Sequence, residues 1–151
     1  MEAKDVAQQT RVEQELLHHM IRGLQSTAAW RVQEPDASRK LSTLRFVSQS
    51  FQRHLERLLA LEEYDGYMGL IVDAAPRLGR SIDTLREEHD YFRTEARRIV
   101  QQLERLPATD LPALGQVCDE LFALVGGIKK HNEREMALIQ ETLGRHEGGE
   151  G

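Results

Sequence analysis

The stretch LGRSIDTLREEHDYFRTEARRIVQQLERL, residues 78–106, decides the fold. Its apolar side chains stand at Leu78, Ile82, Leu85, Phe92, Ala96, Ile99, Leu103 and Leu106, and most of the residues between them are charged or polar. Steps alternating between three and four place those side chains on one stripe of an α-helix, buried against neighbours. His89 completes the stripe between Leu85 and Phe92, so an ionisable ring stands in the middle of an apolar seam.

The same period recurs on either side. A first helix is predicted over about residues 4–33, with the stripe Val6, Leu17, Ile21, Leu24 and Ala28, closed by Pro35. A second, over about 38–64, carries Leu44, Val47, Phe51, His54, Leu58 and Leu61, with Asp36 or Ser38 as its cap. The segment YDGYMGLIVDAAP (64–76) breaks the pattern at Gly66 and Gly69, which predicts a short helical turn ending before Pro76. The third helix is the opening stretch. A fourth, from about 110 to 144, follows Thr109 or Asp110 as cap, with Pro112 in its first turn. Its seam is Leu114, Val117, Leu121, Leu124, Ile128, His131, Glu135 and Leu138. The expected fold is all-α: an up-down-up-down antiparallel four-helix bundle in one domain over 1–151, with its core at about 4–145 and 146–151 as a tail.

Composition excludes several function classes. The net charge is −5 with Lys and Arg dispersed, whereas a nucleic-acid surface needs a concentrated basic face. The single Cys118 has no intrachain disulfide partner, which suits a reducing compartment. The opening MEAKDVAQQTRVEQ has no apolar core of a signal peptide, and no run approaches the ~20 apolar residues of a membrane span. A cytoplasmic chain that binds neither membrane nor nucleic acid is expected.

Each seam contains a histidine: His18 or His19, His54, His89 and His131, joined by the carboxylates of Glu62 and Glu135. Buried charges are paired or bind metal, and a bundle core that gathers imidazoles and carboxylates from facing helices is a common way to hold one or two transition metals. In HNERE (131–135), His131 and Glu135 are four residues apart and project into one volume. His18 lies nearer the stripe of Leu17, Ile21 and Leu24 than His19, which reads as a solvated or outer residue. Counting from helix ends, Glu62 and Glu135 are level, and His54 is level with His18 and His89.

The segments ELLHHMIRGL, LREEHDYF, HNEREMALIQE and EEYDGYMGLIVDAAPRL resemble the hemerythrin-like family, the HHE cation-binding domains, over about residues 10–145. The resemblance implies a four-helix bundle around a carboxylate-bridged non-haem di-iron centre. It also implies binding or sensing of oxygen, nitric oxide or peroxide, or iron handling. Carried over, the ligands fall on His18 (or His19), Glu62, His89, His131 and Glu135. The family's second-helix histidine falls on Leu58, and Arg93 stands where some members have a further ligand.

Two arrangements follow. In one, His54 replaces the missing histidine and the centre is shifted or mononuclear. In the other, His18, Glu62, His89, His131 and Glu135 form a depleted two-metal site and His54 is a core residue. Tyr64 and Tyr67 are both placed to supply a phenolate, and helical phase does not choose between them. One or two irons per chain and a small diatomic or peroxide ligand are expected, with a homo-oligomer or a signalling partner as further associations. The reading from another class is a metal-free bundle serving as an interaction scaffold. A ferritin-type oxidase is disfavoured, because the Glu-x-x-His spacing of such sites occurs only at Glu15–His18.

Overall fold

The computed structural model describes residues 3–33, 35–64 and 66–143. These form α1 (Ala3–Ala29), α2 (Ser38–Tyr64), a short α3 (Tyr67–Ala74), a 3-10 turn (Pro76–Leu78), α4 (Gly79–Arg105) and α5 (Leu111–Thr142). Among the described residues there is no strand. Each long helix packs on two others, α1 on α2 and α5, and α4 on α2 and α5, so the four close a ring.

Helix ends are set by side chains that satisfy orphan backbone groups. α1 stops short of the expected end near residue 33, and the Lys40 ammonium donates to the carbonyls of Ala28 and Trp30, both at 2.8 Å. Arg45 does the same for the end of α4, donating from Nε to the Leu103 carbonyl (2.7 Å) and from its terminal nitrogen to that of Leu106 (2.9 Å). A cation at a helix C-terminus also faces the negative end of the helix dipole. Asp36 accepts from the backbone N–H of Ser38 at the entry to α2. Asp110 caps α5 by accepting from the N–H of Ala113 at 3.1 Å, with Pro112 just inside.

The apolar core falls into two clusters. The larger runs from Ala28, Ala37, Leu41 and Leu106 to Leu17, Leu58, Leu59, Phe92 and Ile128. The smaller contains Val6, Tyr67, Met68, Ile71, Ile82, Leu85, Ile139 and Leu143. On every long helix buried polar residues fall between the two clusters, Thr10 and Gln14 on α1, Glu62 on α2, His89 on α4, His131 and Glu135 on α5, while Ser48 and His54 on α2 stand among the members of the larger cluster. A polar layer therefore crosses the bundle, and α3 packs at its lower boundary with Tyr67, Met68 and Ile71 fully buried.

α5 is, by length and composition alone, apolar enough to cross a membrane, although Asp119 and Glu120 interrupt its apolar run. Its buried side includes His131, Asn132 and Glu135 and packs on α1 and α4.

Candidate metal centre

Glu62, His89, His131 and Glu135 come together in the polar layer, each completely or almost completely buried. One donor atom from each lies within 4.8 Å of all the others. His131 Nε2 is 2.5 Å from Glu135 Oε1, the contact that the four-residue spacing on α5 predicts. His89 Nε2 is 3.3 Å from Glu62 Oε2, 3.8 Å from Glu135 Oε1 and 3.0 Å from His131 Nε2.

The outer edges of the two rings determine what the inner edges can do. His89 Nδ1 donates to Glu63 Oε1 at 3.0 Å. Glu63 is in turn held by Arg93, at 2.7 Å, and Arg93 also reaches Asp90. His131 Nδ1 faces Glu88 Oε1 at 3.4 Å, and Glu88 pairs with Arg134. At His89 the carboxylate on Nδ1 fixes the N–H there and leaves Nε2 as a lone-pair donor, the tautomer that metal-bound histidines adopt, whereas His131 Nδ1 and Glu88 Oε1 face each other without a hydrogen bond. Both Nε2 atoms point at the same place, together with carboxylate oxygens. Such a set needs a cation or protons at its centre.

The titration behaviour agrees. Burial drives the Glu62 carboxyl well above its ordinary value, and the neighbouring charge of Glu135 drives it further in the same direction. Burial pushes Glu135 up as well, but its contacts with Glu62, His131 and His89 outweigh this and hold it ionised. Tyr67 donates its hydroxyl proton to Glu135 Oε2, and burial and the nearby carboxylates raise the phenol far above its usual range. Burial raises Glu63 too, but Arg93 and His89 overcome it and keep this carboxylate below its ordinary value. Neither oxygen of Glu62 has a hydrogen-bond partner among the described residues. Such orphaned carboxylate oxygens, 1% exposed, are what a metal would satisfy. The donor set of two imidazoles and two carboxylates fits a borderline transition metal such as iron.

His18 and His54 stand outside this cluster. His18 is half-buried and lines a cleft between α1 and α5; burial, then Lys129 and Arg22, lower its pKa. His19 is exposed. His54 is buried, but its Nε2 lies 3.6 Å from Glu13 Oε2 and its Nδ1 3.3 Å from Arg57. The expected level of His54 with His89 is corrected: His89 meets Glu62 instead. The α3 plug lets α4 begin beyond the end of α2, so the end of α4 stops level with Arg45 rather than with the start of α2, and counting His89 back from that end misplaces it by several residues. Leu58 is 2% exposed and belongs to the larger apolar cluster.

Three participants escaped the sequence reading. Gln14 is 4% exposed and sits beside Glu62, where its amide opposes the rise in that carboxyl. The signal was the eleven-residue gap between Val6 and Leu17, which Thr10 and Gln14 fill in helical phase. Glu63 and Glu88 lie beside seam positions, and only three-dimensional packing reveals which ring each faces. Between the two tyrosines, Tyr67 is the one in the site, and Tyr64 is 82% exposed.

No family model matches the chain, and neither the curated proteins nor the solved structures contain a match. The helical bundle with its buried glutamate–histidine cluster is compatible with a hemerythrin-like fold, and that cluster could hold a metal ion.

Proposed function

We propose that this chain is a hemerythrin-like, non-haem iron protein whose bundle runs up-down-up-down and whose centre lies among Glu62, His89, His131 and Glu135. The observation that carries the reading is the convergence of two Nε2 atoms and two carboxylates on one point, with both Glu62 oxygens unpartnered among the described residues. The antiparallel order is supported by the smaller cluster, which joins the start of α1, the start of α4 and the end of α5.

The arrangement without His54 is favoured, since Glu13 and Arg57 occupy both of its ring nitrogens. Tyr67 is a further oxygen donor within the set. When bound, iron supplies a redox-active Lewis acid for a small diatomic or peroxide ligand. The protein's own contribution is different. Glu63 and Glu88 orient the rings, Glu62 and Glu135 balance charge, and the apolar clusters above and below limit water.

Elemental analysis of chelator-free protein, loaded anaerobically with ferrous iron, tests the reading. We expect one to two irons per chain, on the order set by a one- or two-metal carboxylate site. His131→Ala should lose most of the metal and His54→Ala should retain it. A wild type that takes up no metal sinks the proposal and leaves the scaffold reading, in which the exposed Phe46 and Tyr64 are the contact residues.

A further inference from the structure

The outer face of α2 carries a second periodic pattern. Phe46, Ser50, Arg53, Arg57, Ala60 and Tyr64 follow one another in alternating steps of four and three, the spacing of a coiled-coil seam. That seam points away from the core, with Phe46 69% exposed and Tyr64 82% exposed. At 1.5 Å per residue it is about 27 Å long. Its middle borders a groove of about 670 Å³ between α1 and α2. Met20 stands on the α1 side of the groove, and the small Ser50 and Ala60 leave room for another backbone to approach. Leu16, one turn before Met20 on α1, is 46% exposed.

Two arginines set the charge of this groove. Arg53 reaches Ser50 Oγ at 3.5 Å and Arg57 reaches His54 Nδ1 at 3.3 Å, and neither acceptor is a carboxylate. Among the described residues no acid pairs with either guanidinium, whereas Arg93, Arg97, Arg98 and Arg134 each pair with a glutamate on a neighbouring helix. Glu56 also borders the groove, but Arg97 already occupies it. His54, which stands outside the metal centre, holds Arg57 in place. Two guanidinium forks one helical turn apart, with most of their N–H donors free, match two carboxylates at the same pitch.

Apolar side chains at the ends of the seam and small ones at its middle fit a helix laid along the groove, and the arginines require that helix to be acidic. A second copy of this chain, paired through the same seam about a two-fold axis, would bring the arginines of both copies together and repel itself. We propose that the α2 seam docks an acidic amphipathic helix of a partner protein, with two carboxylates one turn apart on Arg53 and Arg57 and apolar side chains on Phe46 and Tyr64. The inference is independent of the metal reading, since no seam residue belongs to the centre.

The probe is a labelled synthetic peptide of about three heptads, with glutamates one turn apart beside a leucine stripe, titrated with the full chain by fluorescence anisotropy. Its binding should weaken as salt rises. Arg53→Glu combined with Arg57→Glu should weaken it at least about tenfold, and Phe46→Ser several-fold. Arg77→Glu combined with Arg80→Glu, around the start of α4, makes the same change in net charge and should leave binding unaltered. All five side chains are exposed, so the fold should tolerate these changes. No peptide binding by wild type, or an equal loss in both double variants, overturns the proposal. A wild type that self-associates and becomes monomeric in the Arg53→Glu, Arg57→Glu variant assigns the seam to a second copy and overturns it too. Capture of phosphatidylserine vesicles without binding of the peptide does the same.

Discussion

Glu62 is the residue on which the chemistry depends. A glutamate with 1% of its surface exposed, no hydrogen-bond partner among the described residues and an ionised Glu135 beside it keeps its proton until something stronger replaces it. A cation is such a replacement, and its binding should release that proton. Glu62→Gln retains the shape but cannot be ionised. Iron affinity should fall by more than about a hundredfold, beyond the 10–100-fold typical of an outer-sphere partner, and proton release on metal addition should disappear. Competition with a chromophoric chelator in weakly buffered solution reads both. Glu62, His89, His131 and Glu135 were legible because each occupies an apolar phase, where a polar residue is conspicuous. His54 is equally conspicuous by phase, yet its partners are Glu13 and Arg57 rather than the centre. Phase identifies the face a side chain occupies, but not the height at which it meets another helix.

Height is set by α3, the element the sequence described least well. Reading YDGYMGLIVDAAP as a broken helical turn captured its brevity, but not that Tyr67, Met68 and Ile71 would seal the smaller cluster and shift α4 relative to α2. The shift depends on a close approach at Gly66. A Cβ there would lie 2.6 Å from the Leu61 carbonyl oxygen and 2.7 Å from the Glu62 Cα, both of them backbone atoms that cannot turn aside. Gly66→Ala should therefore force the end of α2 away from α3, at a cost of about 1–3 kcal/mol by analogy with overpacked cores. Because Glu62 and Tyr67 flank this junction, iron content should fall along with the urea midpoint. Gly69→Ala, where an added Cβ meets nothing within 4 Å, is the matched control and should preserve both. The antiparallel partners of α4 could be inferred from connection lengths, whereas an offset of this kind depends on how a plug packs.

At the scale of the whole molecule, the polar layer makes stability depend on pH and metal together. In the metal-free protein Glu62 has a raised folded pKa, so its contribution is complete below the unfolded carboxyl value of 4.5 and is lost as pH rises through the folded value. Glu135 and Glu63 have depressed values, so theirs are complete above 4.5 and are lost as pH falls. Between the unfolded value of 4.5 and the raised folded value of Glu62, the second pair is already saturated while the Glu62 contribution is being lost. The metal-free melting temperature should therefore fall across that window. Bound metal replaces the Glu62 proton, so its affinity should rise over the same window and the loaded protein should resist the fall. At a hundredfold excess of metal over its dissociation constant the added stability is about 2.7 kcal/mol, a gap that should widen toward alkaline pH. Paired melts with and without a chelator measure it. Parallel curves would mean that metal binding does not displace the buried proton. In Glu62→Gln the metal-free curve should lose its alkaline decline, which ties the behaviour of the whole bundle to one carboxyl group in its polar layer.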